Sequence, residues 1–200
     1  MKKRNLLTCA LLASLLALAG CKDAADSPAA AASAAAPAPT VSVAAVASQA
    51  KGFTVGSTIS VRTVYVFFDP QCPHCAELWE QAKPLKSQAK FVWIPVALLN
   101  PASGPQGAAI LAAADPVAAM DAHEASMAAR TGGITATGEL TAQKAAVDAN
   151  TKLMNRFQFQ GVPTIVAKHA VTGDLVVKEG ALPTAMLAAA LGLQPPAPAN

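Results

Sequence analysis

Apolar strands alternating with helix signals make this chain an α/β protein, in the order β-α-β, a helical insertion, then β-β-α. Three stretches carry that reading. Val64–Phe68 is a continuous apolar run, as a strand buried on both faces requires, and Cys72-Pro73-His74-Cys75 follows after a three-residue turn. Phe91–Leu99 is a second such run. Gly161-Val162-Pro163-Thr164-Ile165-Val166 opens a third, and the turn Val171–Asp174 returns the chain through Leu175–Lys178 as a hairpin. The order implies a parallel pair joined by a crossover, with an antiparallel pair beside it.

Element by element, the first strand is expected over Ile59–Phe68, weakly alternating and then fully apolar. A helix from Cys72 to about Lys83 sets Leu78, Trp79 and Ala82 on one side, and Pro84 ends or kinks it. Within an insertion at about 104–157, Asp115-Pro116 pairs an N-cap with a proline at the first helical position, and Gly132-Gly133 stops the helix beyond Arg130. Thr141–Phe157 reads as a further helix. A last, alanine-rich helix starts at Pro183 and ends at Gly192, which suits a left-handed C-terminal cap. Residues 51–193 thus form one domain of roughly 140 residues, the usual size.

The ends are of different composition. Met1-Lys2-Lys3-Arg4 followed by the apolar run Leu6–Gly20 reads as a signal peptide over 1–20, too short to span a bilayer comfortably. Residues 21–50 read as a tether. Fourteen of the 29 residues after Cys21 are alanine, with prolines at 28, 37 and 39 and almost no large apolar group to bury. Such a tether reaches roughly 30 Å as a coil and up to about 90 Å as polyproline II. Gln194–Asn200 reads as a disordered tail. Three of the 15 Lys and Arg lie in the signal, which leaves 12 against 12 acidic residues. A chain that close to neutral implies no nucleic-acid or polyanion partner.

Of four cysteines, Cys9 leaves with the signal and Cys21 stands at its end, so Cys72 and Cys75 remain as the thiol pair. One CxxC in an exported chain points to redox exchange. Only a thiolate attacks a disulfide. Cys72 at a helix N-terminus meets the positive end of the dipole and free N–H groups, and Pro73 fits a first turn where no N–H is needed. His74 between the sulfurs further favours the anion. A fall in the Cys72 pKa from ~8.5 to about 4 would stabilise the reduced form by roughly 4 kcal/mol at pH 7 and raise the potential by roughly 90 mV. Cys75, one turn on and less exposed, is the resolving thiol. Asp69 serves as the turn residue before Pro70 or as a buried proton acceptor. Glu77 and Glu80 read as solvated charges, Trp79 as core, and His123 and His169 as surface or half-buried groups without an evident partner.

The stretches "FFDPQCPHC" and "DANTKLMNRFQFQGVPTIV" resemble the bacterial periplasmic thiol:disulfide interchange proteins of the DsbC/DsbG type, which have the thioredoxin fold. The likeness spans most of 59–191. It implies that Pro163 is a cis-proline facing the CxxC and that Val162 and Pro163 present backbone groups to a client peptide. No cofactor is implied beyond the Cys72–Cys75 disulfide itself, and no metal. Leu18-Ala19-Gly20-Cys21 likewise resembles the lipobox of bacterial lipoproteins, which implies lipidation of Cys21. Lys22 after it implies sorting to the inner face of the outer membrane, with the catalytic domain in the periplasm. The implied partners are cysteine-containing envelope proteins, a membrane redox partner and the membrane itself. Three features depart from the isomerase pattern. The Pro-His dipeptide and the valine before Pro163 match the DsbA-type oxidases, and residues 22–50 hold no dimerisation domain, which implies a monomer.

Other readings stand beside an oxidase or isomerase. A dedicated thiol reductase for envelope clients would use the same pair. A tethered module could instead hold extended peptides at Pro163, or bind a metal ion through the cysteines. A zinc site takes about four ligands, and one CxxC with scattered histidines fits that poorly. A purely structural disulfide across a four-residue loop would constrain little of the unfolded chain.

Overall fold

A computed structural model describes residues 40–196. Its elements are α1 (Val43–Gln49), β1 (Phe53–Gly56), β2 (Thr63–Phe68), α2 (Pro73–Ala82) with a 3₁₀ turn at Lys83–Leu85, β3 (Lys90–Pro95), α3 (Ser103–Ala112), α4 (Pro116–Ala128), α5 (Thr141–Arg156), β4 (Thr164–Lys168), β5 (Leu175–Glu179) and α6 (Thr184–Leu191). Five strands form one sheet in the order β1-β3-β2-β4-β5. β2 and β3 are parallel, Val66 opposite Trp93, and every other pairing is antiparallel. The α/β order read from the sequence is therefore present, with a sheet wide enough to be covered on both faces.

The two faces explain why β2 reads as an unbroken apolar run. Val64, Val66 and Phe68 point into one cluster with Leu78, Trp79 and Ala82 of α2 and Leu187, Ala188 and Leu191 of α6. Phe67 points the other way, joining Ile94, Val166 and Leu153, Met154 and Phe157 at the end of α5. A strand covered on both sides has no polar-facing position to alternate with. Beneath α2, Trp79 and Trp93 meet edge-to-face at 4.9 Å, and Phe68 packs on Trp93 at 5.6 Å. Trp79 also donates its indole N–H to Asp121 of α4 at 2.8 Å, which ties the insertion to α2.

Several sequence-based boundaries move. The segment assigned to the tether includes α1, whose N-cap Ser42 accepts from the Ala45 N–H at 3.1 Å and whose Val46 is fully buried among Phe67, Ile94 and Leu153. Valines at 41, 43 and 46 supply just enough apolar surface for docking, although the helix is too short to stand alone. The domain therefore begins before residue 51. The first strand is shorter than expected: Ile59 and Val61 are 93% and 97% exposed, on a loop whose Ser57 N–H bonds the Lys86 carbonyl at 2.9 Å. The preceding β1 escaped notice because four residues with one buried side chain make no pattern. The second strand ends at Pro95 rather than Leu99. Asp115 caps α4 as expected, accepting from Val117 and Ala118, and Gly192 closes α6 with φ 67°. Gln194, expected to open the tail, is instead held in place, its backbone exchanging two hydrogen bonds with the Gln88 side chain. Cys21, the signal segment and residues 197–200 lie outside the described residues.

Candidate active site

Cys72 is the N-cap of α2 and has extended backbone dihedrals; Pro73 takes the first helical position. The turn before it is closed by the Cys72 N–H donating to the Asp69 carbonyl at 2.9 Å. Both cysteines are unbridged and buried, Cys72 with 7% of its surface exposed and Cys75 with none. Of the two residues, Cys72 is the one that retains contact with solvent.

The Cys72 pKa is lowered to about 6. A hydrogen bond from the Cys75 thiol is the largest cause; burial opposes it, and the backbone N–H groups of Cys75 and His74 and the charge of His74 add to it. The Cys75 thiol moves the other way, pushed far up by burial first and then by its interaction with Cys72. The depression is smaller than the sequence argument assumed. At pH 7, a thiol of pKa about 6 against 9 stabilises the reduced form by at most ~1.4 kcal/mol, since solvent at the sulfur screens part of it. The matching rise in potential is about 30 mV, not roughly 90. The correction has a physical source: Cys72 loses water as it gains donors, and the two effects oppose each other.

The second wall of the site comes from 90 residues away in the chain. The Val162–Pro163 peptide is cis, as the resemblance implied, and the Cys72 thiol donates to the Val162 carbonyl at 3.6 Å. Pro163 is buried, and its carbonyl accepts from the Gly180 N–H at 2.8 Å. β4 starts at Thr164 directly beside β2, so the sheet itself carries this loop to the head of α2.

Asp69 is wholly buried and acts as a connector. Its carboxylate accepts from the Gln71 N–H at 2.8 Å, which is the turn role, and from the N–H groups of Leu98 and Leu99 at 2.7 and 3.0 Å. It joins the active-site turn to the end of β3. His74 is exposed, with Nδ1 3.5 Å from the Glu77 carboxylate. Glu80 pairs with Lys83 at 2.6 Å, so neither glutamate faces Cys75.

Two residues of the insertion adjoin the site, and the sequence singled out only one of them. His123, expected to be a surface or half-buried group without a partner, is fully buried. Its Nε2 bonds the Pro70 carbonyl at 2.7 Å and its Nδ1 accepts from the Ile134 N–H at 3.2 Å, which sets the neutral tautomer with the proton on Nε2. Burial lowers its pKa. Gly133, at φ 88°, passes so close that a Cβ would lie 2.5 Å from the imidazole. Glu124 is 9% exposed, and its Oε1 has no hydrogen-bond partner among the described residues. It lines a cleft of about 200 Å³ together with Pro70, Cys72, Pro73, Ala76 and Met127. Neither residue sits in a motif; only the docking of α4 on the active-site turn reveals them. Among the described residues, no cluster of three His, Cys, Asp or Glu side chains is arranged to hold a metal.

Residues 57–194 match the family model described as a thioredoxin-like domain. Over 71 residues the chain is 39% identical to the thiol:disulfide interchange protein DsbG of Pseudomonas aeruginosa, covering 34% of this chain and 28% of that protein. Over 65 residues it is 42% identical to the protein of the same name from Escherichia coli K12, covering 32% and 26%. The alignments thus span about a quarter of the length of these curated relatives. Among solved structures, the catalytic domain of Proteus mirabilis ScsC superposes with a TM-score of 0.57 at 17% identity, over 74% of this chain and 96% of that one. A periplasmic thioredoxin-like protein from Salmonella enterica serovar Typhimurium superposes at 0.59 with 16% identity, over 77% and 97%. These likenesses are of fold.

Proposed function

The chain belongs to the thioredoxin-like family, and from that premise we propose that it is a thiol-disulfide oxidoreductase acting on cysteine-containing proteins. The carrying observation is the pairing of opposite ionisations on adjacent turns: Cys72 held down at about 6 and facing the Val162 carbonyl, Cys75 held up by burial. The Cys72 thiolate attacks a client disulfide, one client sulfur leaves as a thiolate, and a mixed disulfide forms. Cys75 then loses its proton as it attacks Cys72, and the client departs with its second sulfur reduced. In the opposite direction the Cys72–Cys75 disulfide is given to a dithiol client. An extended client segment lies along the Val162–Pro163 edge, where backbone groups are presented.

A pKa of about 6 falls between thioredoxin at ≈ 7 and the strong oxidant DsbA at ≈ 3.5. That position favours an isomerase, or the reductase of a few clients, over a committed oxidase, although Pro73-His74 and Val162 are the residues of the oxidases. The chain is exported to the periplasm and anchored through lipid on Cys21, with residues 22–42 as the spacer and a membrane protein setting its redox state. It acts as a monomer. Cys75→Ser tests the chemistry: Cys72 attacks but is not released, so client adducts accumulate on non-reducing gels and disappear with reductant. A Cys75→Ser protein that forms no adducts, while still binding unfolded peptide, would instead mark a binding module.

A further inference from the structure

The thiol-exchange reading leaves Glu124 unused. It is a carboxyl nine-tenths buried, set in an apolar wall beside the reacting sulfur, with one oxygen sealed from water and unpartnered. Burying such a group without a partner is costly, and native structures rarely retain one without a use. No neighbour neutralises it. Lys83 is the cation that acts on it, but that ammonium is already shared between Glu80 at 2.6 Å and Asp121 at 2.9 Å. The remaining groups facing it, Cys72 at the head of α2 and Glu80 further along, are anionic or become so. The walls, Pro70, Pro73, Ala76 and Met127, offer only hydrocarbon and thioether. The cleft holds about 200 Å³, more than the ≈ 150 Å³ cavity that accommodates benzene. It opens directly at Cys72.

We propose that this cleft is a specificity subsite for a lysine or arginine next to the client's reacting cysteine, with Glu124 as its counter-charge. The proposal rests on the thiol-exchange reading. An aliphatic stem lies against Pro70, Pro73 and Met127, and the ammonium or guanidinium meets the Glu124 carboxylate where it lines the cleft. A neutral apolar side chain fills the cleft but leaves the carboxylate unpaired, and an acidic one adds a third negative charge.

The test uses the reduced full-length protein and short peptides whose single cysteine carries a chromogenic aryl disulfide, flanked by Lys, Arg, norleucine or Glu. Stopped-flow absorbance reads the rate of Cys72 attack. At pH 8 the Lys and Arg peptides react at least about tenfold faster than norleucine, the scale of one hydrogen bond to a charged group, and Glu is slowest. Burial and then the Cys72 charge raise the Glu124 pKa to about 7, so the Lys-to-norleucine ratio falls as pH drops from 8 to 5.5. Cys72 ionises identically in both reactions, and the ratio isolates the carboxyl. Glu124→Gln brings the ratio near one whatever it does to absolute rates, and Glu124→Asp keeps part of it. Equal Lys and norleucine rates at pH 8, or a preference that survives Glu124→Gln, would overturn the subsite alone. No reaction with any peptide would overturn the exchange reading and the subsite together.

Discussion

Replacing Cys75 by alanine removes the largest contribution to Cys72 ionisation, a hydrogen bond from one sulfur to the other, and leaves the helix start intact. Hydrogen bonds to charged groups contribute about 1.5–3 kcal/mol, or roughly one to two pKa units. Cys72 should therefore titrate at about 7–8 in Cys75→Ala instead of about 6. The rate of alkylation at neutral pH is a poor readout. For a rise of ~1.5 units the thiolate fraction at pH 7 falls about fourfold, but a more basic thiolate is intrinsically faster by a similar factor at a Brønsted slope of ≈ 0.4–0.5. The two changes nearly cancel. The midpoint of alkylation rate against pH, or of thiolate absorbance at 240 nm, separates them. Cys75→Ser keeps a donor in place and should hold the midpoint near the parent value. If Cys75→Ala still titrates at about 6, the thiol–thiol bond is irrelevant, and the helix N-terminus with its backbone N–H groups carries the effect alone.

Glu124→Gln should change stability only in a window of pH. The folded-state pKa is raised from 4.5 to about 7, so the folded form holds an extra proton between those values and stability declines as pH rises through 7. The variant should match the parent at pH 4 and exceed it at pH 8 by at most about 3 kcal/mol in urea melts, less in the oxidised protein, where Cys72 carries no charge. Equal differences at both pH values would show that the carboxyl ionises normally. Asp69→Ala removes the buried carboxylate that accepts from the N–H groups of Leu98 and Leu99 and should cost about 2–5 kcal/mol, a shift readable in the urea midpoint. Val46→Ala should cost about 2 kcal/mol. A Val46→Ala protein that melts like the parent would detach α1 from the domain.

Much of this architecture is written locally. A run such as Val64–Phe68 has one plausible fate because a strand without polar alternation must be covered twice, and α2 and α6 on one face and α5 on the other cover it. Asp115-Pro116 opens α4 and Gly192 closes α6 through bonds and dihedrals that span at most four residues, so the sequence shows them directly. Boundaries that depend on partners were less legible. Ile59 and Val61 look like strand but have no neighbour to pair with, and α1 looks like tether until Phe67 and Leu153 offer a surface.

At the site the same division holds. Sequence alone established that Cys72 and Cys75 lie one turn apart at the head of a helix, because that placement follows from spacing and from proline at the first helical position. Tertiary structure alone decided how strongly Cys72 ionises, what faces it and what shares its cleft. Val162 stands 90 residues along the chain from the sulfur it faces, and His123 and Glu124 join the site only because α4 packs across the turn that holds Pro70. Desolvation and charge act through space, and distance along the chain carries no record of them.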